Sequence, residues 1–196
     1  MTNTSDDPRR RRILESATGV FLSYGFQRTT MDDIARAAEM SRPALYLFFR
    51  NKSDIYRAIA EQIFAEATVA ARTALAADLP LADRLEQMLE QSVYCMLDRF
   101  ANSPHGGEIV DAKTKLAGDL VDAWIGEMIA ILEDAIRRAA AAGSVDLAER
   151  GYTPRGLAEL FWDAIEGAKS RISDVNEQRK ATRMIVRLVA DAVVPR

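Results

Sequence analysis

The stretch "TTMDDIARAAEMSRPALYLFFRNKSDIY", Thr29 to Tyr56, holds three helix starts in quick succession. Thr30 is followed three residues later by Asp33, the pattern of a capping box. Ile34, Ala35 and Ala38 then recur at helical spacing on one face. Ser41 offers a second N-cap, and Pro43 falls in the first turn, where its missing N–H does no harm. Asn51 and Asp54 repeat the capping logic and open a longer helix through Ile55, Ile59, Ile63 and Ala67. Helices as short as the first two are marginal alone, since isolated helices need about 12–15 residues. Such a pair makes sense when the second helix must be held at an angle against a partner.

Two short helices joined by a tight turn and packed on a preceding helix form a helix-turn-helix arrangement. The preceding helix is legible in "RRILESATGVFLSYG", where Ile13, Leu14, Ala17, Val20, Phe21 and Tyr24 share a face and Gly25 ends the run. The second short helix fits the DNA major groove, which admits a helix. Leu45 and Phe48 are expected to anchor it, leaving Arg42, Pro43, Ala44, Tyr46 and Leu47 facing outward. Small residues at 43 and 44 permit close approach to base edges. Arg42 can donate two hydrogen bonds to a guanine edge or reach a phosphate. The run Arg9–Arg12 directly precedes the first helix and can reach phosphates or the minor groove.

The segment "FLSYGFQRTTMDDIARAAEMSRPALYLFFRNKSDIY" carries a chain of matched positions. They are Phe then Gly-Phe, Thr-Thr, Ile-Ala-x-x-Ala, Ser-x-x-x-Leu-Tyr-x-x-Phe and Asn-Lys-x-x-Ile. Residues from about 10 to 57, a quarter of the chain, thereby resemble the DNA-binding domain of the TetR family of bacterial transcription regulators. The resemblance implies that Thr30 caps its helix and touches a phosphate, and that Tyr46 sets its hydroxyl on another. It implies that Lys52 meets the DNA backbone beside a helix N-terminus, and that Arg42, Pro43 and Ala44 lie over bases. Leu47 and Pro43 depart from the residues commonest in the family.

Composition fits this reading. The 196 residues carry a net charge of -3, but unevenly. Residues 1–57 hold ten Lys/Arg against seven Asp/Glu, whereas residues 58–196 hold sixteen against twenty-two. A basic head on an acidic body predicts that only the head faces a polyanion. One Cys and one His argue against a zinc or copper site. No G-x-S-x-G, H-E-x-x-H or phosphate-binding loop occurs, so neither enzyme nor cofactor is expected. Cys95 reads as a small buried hydrophobe and His105 as an exposed loop residue. No apolar run reaches the ~20 residues of a membrane span. The polar, basic N-terminus lacks a signal-peptide pattern, so a cytoplasmic location without membrane contact is expected.

The whole chain reads as all-α, with a helix-turn-helix domain over 1–57 and a helical ligand-binding and dimerisation domain over 58–196. Helices are expected from Pro80 to about Phe100, from about Lys113 to Ala142, from Thr153 to Ile172, and from Asn176 to a stop before Pro195. On the helix over 157–172, apolar residues cover roughly 220° of the circumference, against the ~100° or more of a surface helix. The last helix is similarly apolar. Phe161, Ala164, Ile165, Ala168, Ile185 and Leu188 are therefore expected at a four-helix homodimer interface. Met88, Tyr94, Phe100, Trp124 and Met128 form apolar stripes that are either core or the lining of an effector pocket. The function expected is a dimeric repressor of an inverted-repeat operator, released by a small apolar or aromatic effector. The rival is a ligand-independent DNA-organising or protein-responsive DNA-binding factor with a filled core.

Overall fold

The computed structural model describes residues 7–101, 103–143 and 145–193, with backbone alone for 110–114. Its elements run α1 (Pro8–Tyr24), α2 (Met31–Ala37), α3 (Arg42–Tyr46), α4 (Lys52–Leu75), α5 (Leu81–Met88), a π-helical stretch (Leu89–Tyr94), α6 (Cys95–Ala101), α7 (Gly106–Ala142), α8 (Pro154–Arg171) and α9 (Val175–Ala192). The regular structure of the described residues is helical throughout, as the sequence predicts. Two compact units share it. The first takes the residues through Glu66 together with Cys95–Ala123, and the second takes Ala67–Tyr94 and the residues from Trp124 onward. The chain thus passes between units three times, inside α4, between Tyr94 and Cys95, and inside α7.

In the first unit, side chains start the helices. The Asp7 carboxylate accepts from the Arg9 N–H at 2.8 Å, so Arg9–Arg12 belong to the opening turns of α1. Thr30 and Asp33 cap α2 reciprocally, and Ser41 accepts from the Ala44 N–H at 3.3 Å to cap α3. Asn51 accepts from the Asp54 N–H at 2.9 Å at the head of α4. Ile13, Ala17, Ile34, Leu45 and Ile55 are fully buried in the core of this unit, where α2 packs on α1 and α3 on α2. Phe49, not Phe48, completes the anchoring of α3; Phe48 is half-buried. Tyr24, expected inward, is exposed. The Arg57 guanidinium grips Asp119 with two bonds of 2.7 Å and the Leu116 carbonyl at 2.8 Å, tying α4 to α7 next to a kink at Ala117.

The second unit is built on α8 and α9, with α5 packed on α9. Thr153 caps α8, and Asp174 rather than Asn176 caps α9 by accepting from the Glu177 N–H at 2.9 Å. Pro195, expected to stop the last helix, lies outside the described residues. The expected helix from Pro80 to Phe100 is interrupted by the π-helical stretch, where the Ser92 hydroxyl donates to the Met88 carbonyl at 2.6 Å. Cys95, expected buried, is exposed. His105, expected in an exposed loop, is half-buried beside Glu108 at 3.7 Å.

Gly25 ends α1 at φ +81, ψ 154, a region that belongs almost solely to glycine. A Cβ there would stand 2.3 Å from Glu108 Oε2. Gly25→Ala should destabilise the protein by about 1–3 kcal/mol through backbone strain alone. Adding Glu108→Ala should remove the collision but leave the strain, so urea unfolding should show only partial recovery. A second outcome concerns acid. The Arg57 bonds hold the Asp119 carboxyl down to about 2, from an ordinary 3.8. A depressed carboxylate stabilises the fold above its unfolded pKa and loses that contribution as pH falls through the folded one. Wild type should therefore exceed Asp119→Asn in unfolding midpoint above about pH 4, with the gap closing toward about pH 2.

Candidate nucleic-acid interface

The outward face of α3 is a small, fixed surface. Arg42 and Pro43 are exposed and Ala44 is half-exposed. Tyr46 is exposed, and Leu47 is 86% exposed. Leu45 and Phe49 on the opposite side are buried and fix which way that face points. Arg42 lies alongside the Tyr46 ring at 5.6 Å and donates to the Tyr46 hydroxyl at 3.4 Å and to Asp32 Oδ2 at 3.2 Å. Its fork is thus held over the helix surface by α2 and α3 together, ready for a planar acceptor. Thr30 stands exposed at the N-terminus of α2, where unpaired backbone N–H groups favour an anion. Its hydroxyl donates to Asp33 Oδ2 at 2.6 Å, which leaves its lone pairs rather than its proton available to a partner.

Lys52 is placed differently from the expectation. Its ammonium donates to the carbonyls of Phe26 at 2.7 Å, Gln27 at 2.9 Å and Thr29 at 2.9 Å, and sits 4.7 Å from the centre of the Phe26 ring. All three of its protons are committed to the turn between α1 and α2. Its observed work is to hold that turn, which escapes a motif reading because the lysine's partners lie more than twenty residues upstream. Glu108 escapes a motif reading for the same reason. Its Oε1 accepts from the Gln27 N–H at 2.9 Å, across 81 residues of sequence.

The predicted effector residues separate. Met88, Tyr94, Trp124 and Met128 are buried in the second unit. There Tyr94 shares a 3.1 Å hydrogen bond with Thr182, and Trp124 meets Trp162 edge-on at 5.4 Å. Phe100 belongs to the first unit and lines an apolar cavity of about 70 Å³. The predicted interface residues separate as well. Phe161, Ile165 and Ala168 are buried in their own unit, because that is the side of α8 its own core takes up. They are corrected from contact residues to core residues. Ala164 and Ile185 are half-buried. Leu188 is 71% exposed, beside Met184 at 67% and Leu160 at 60%, two residues the sequence reading did not select for the interface. No helix among the described residues is long and apolar enough to cross a membrane.

Residues 13–59, the segment carrying α1 to α3 and the head of α4, match the sequence profile of bacterial regulatory proteins of the tetR family. This segment is a TetR-family domain. It is similar to the HTH-type transcriptional regulator YhgD of Bacillus subtilis, with 32% identity over 81 residues, 41% of this chain and 42% of that protein. It is similar to the HTH-type transcriptional regulator TtgR of Pseudomonas putida, with 28% identity over 153 residues, 72% of this chain and 71% of TtgR. The match thus spans less than half the length of YhgD but most of TtgR. Among solved structures, SmeT, the repressor of the Stenotrophomonas maltophilia multidrug efflux pump SmeDEF, superposes with a TM-score of 0.66 at 18% identity, over 97% of this chain and 92% of SmeT. A TetR/AcrR regulator of Thermobifida fusca gives 0.68 at 21% identity, over 94% and 98%. These two likenesses concern the fold alone.

Replacing Lys52 by Met keeps the stem and removes three charge-assisted hydrogen bonds. The fold should lose about 1.5–3 kcal/mol, the range for bonds to a charged group, read by urea denaturation without DNA. A variant as stable as wild type would show that the ammonium's chief role lies elsewhere.

Proposed function

We propose that this protein is a dimeric, sequence-specific DNA-binding repressor that a small-molecule effector releases from an inverted-repeat operator. The observation that carries the DNA-binding part is the outward face of α3, with Arg42, Pro43, Ala44, Tyr46 and Leu47 presented by a helix whose other side is locked in the core. Arg42 reads a base edge, with Pro43 and Ala44 permitting close approach and Leu47 offering an apolar contact. Tyr46 donates its hydroxyl proton to a phosphate, Thr30 does the same when its hydroxyl turns away from Asp33, and these contacts set register. Lys52 supports this surface from behind by fixing the α1–α2 turn.

Dimerisation is supported by Leu160, Ala164 and Gly167, which recur at helical spacing along α8, and by Met184 and Leu188 along α9. Large exposed apolar side chains on two adjacent helices, with a glycine permitting close approach, suit an isologous contact with the same pair of helices from a second copy. Two recognition helices related by a two-fold axis then call for an operator with inverted half-sites. Effector control is supported by kinship: SmeT, whose fold this chain shares, forms a complex with triclosan. An effector acts by binding one dimer conformation better than another, and by linkage the operator weakens effector binding by the same factor.

Sequencing the genomic fragments retained by the protein should return an inverted repeat. On that fragment, Arg42→Ala should relax preference at one position per half-site, at about 1–3 kcal/mol. The wild-type chain should sediment as a dimer at micromolar concentration without DNA. The double variant Met184→Glu, Leu188→Glu places charges where burial is required. It should sediment as a folded monomer and lose the operator. A monomeric wild type would overturn the dimeric reading.

A further inference from the structure

The cavity that Phe100 lines has the features of a built ligand site, and all of its described walls lie in the first unit. Thr18, Phe21 and Leu22 of α1 form one wall, and Tyr56, Ile59, Ala60, Ile63 and Phe64 of α4 a second. Met96, Leu97 and Phe100 of α6 and Ile109 of α7 close it. Two polar side chains line this chamber, and both have their protons engaged. The Thr18 hydroxyl donates to the Leu14 carbonyl at 2.8 Å, and the Tyr56 hydroxyl donates to the Ile109 carbonyl at 2.7 Å. An apolar group can therefore enter without stranding a polar partner.

The chamber continues outward. Thr18, Leu22, Ile59, Ile63 and Phe100 also line a wider vestibule of about 300 Å³, whose remaining lining is Leu14, Glu15, Gln62, Glu66 and Arg99. That volume lies at the lower end of the roughly 300–1,000 Å³ of ligand pockets. The rim holds two carboxylates against one guanidinium. Glu66 is engaged by Arg99 at 2.8 Å and by Gln62 at 3.0 Å, whereas Glu15 stands exposed on α1. The surplus charge is negative and sits at the mouth of an apolar hole.

We propose that this chamber and its vestibule bind a small lipophilic cation, its apolar body between α1, α4 and α6 and its charged head beside Glu15. The site deepens the effector reading above and rests on it for its regulatory meaning. Its ligand would touch α1, on which α2 and through it α3 are packed, and α4, whose Lys52 holds the α1–α2 turn, so a change in the separation of α1 and α4 bears on the proposed DNA-reading surface. The packed residues Met88, Tyr94, Trp124 and Met128 are not needed for it.

The test is calorimetry on the full chain with 4-phenylbutylammonium and 4-phenylbutanoate, which share a skeleton and differ in the sign of the head. The ammonium should bind at least about tenfold more tightly, since the carboxylate meets like charge at the rim. Ala60→Leu fills the chamber and should abolish binding while leaving the fold at least as stable, as cavity filling generally does. Leu22→Phe, at the junction of chamber and vestibule, should do the same by a different route. Glu15→Gln should weaken the ammonium several-fold and strengthen the carboxylate, narrowing the gap between the two heads. No binding of the ammonium, equal affinity for both heads, or full affinity in both filled variants would overturn the site. A repeat with the retained operator fragment separates the two claims. Ammonium affinity unchanged by DNA leaves the site standing and defeats effector release. Release by another compound, with no ammonium binding, does the reverse.

Discussion

The turn between α1 and α2 is held from two sides by opposite charges, and the placement of α2 and of the outward face of α3 depends on it. The Lys52 ammonium gathers the carbonyls of Phe26, Gln27 and Thr29, while Glu108 accepts the Gln27 N–H. Three carbonyls converging on one point repel one another unless a cation sits between them. A half-buried cation is in turn tolerable only with such partners. Phe26 is drawn under the ammonium and into a cluster with Phe21 and Tyr56, at ring separations of 5.4 and 5.5 Å. Ser103 adds a bond to the Leu22 carbonyl at 2.7 Å, at the last turn of α1. The direction in which α2 leaves α1 is therefore set by electrostatics at the turn. The short helices that follow inherit it.

Those helices could not hold themselves. α2 has seven residues and α3 five, well short of independent stability. What they have instead is a cap at each start and one or two buried anchors: Ile34 and Ala35 for the first, Leu45 for the second. Glu39 in the linking turn takes φ +53, uncommon for a residue other than glycine, and its side chain pairs with Arg12 of α1. The economy of buried surface is what leaves an entire side of α3 for contact. A longer helix would be more stable, but on the proposed reading it would carry its ends away from the groove it is to enter.

This local logic is legible in sequence because caps and anchors are neighbours in the chain. Thr30 with Asp33, Ser41, Asn51 with Asp54, and the buried Ile13, Ile34, Leu45 and Ile55 all follow from spacing of a few residues. What was not legible depends on contacts distant in sequence. The family resemblance puts Lys52 against the DNA backbone, and only the folded turn shows that its protons are already engaged. Apolar faces on α8 and α9 are plain from periodicity, but periodicity does not say which side faces home. Phe161 and Ile165 fill their own core, while Leu160, Met184 and Leu188 remain outside. The π-helical stretch leaves no composition signal. It inserts its irregularity where the chain returns to the first unit, and so places Met96, Leu97 and Phe100 against α1 and α4.

The charge distribution completes the argument. The protein is acidic overall, at -3, yet its reading surface carries Arg42 within 3.2 Å of Asp32. Both groups are exposed, so the pair contributes little stability, about 0–1 kcal/mol. Its effect is better sought in binding. Asp32 holds the guanidinium in place but also repels phosphate, so a DNA contact must offer Arg42 a better acceptor than the one it has. A guanine edge, which takes two donors in a plane, meets that condition more fully than a single phosphate oxygen reached at an angle. On the proposed reading, an acid at the start of α2 weakens attraction to DNA in general more than attraction to the right base, so that discrimination comes from what the surface refuses as well as from what it accepts.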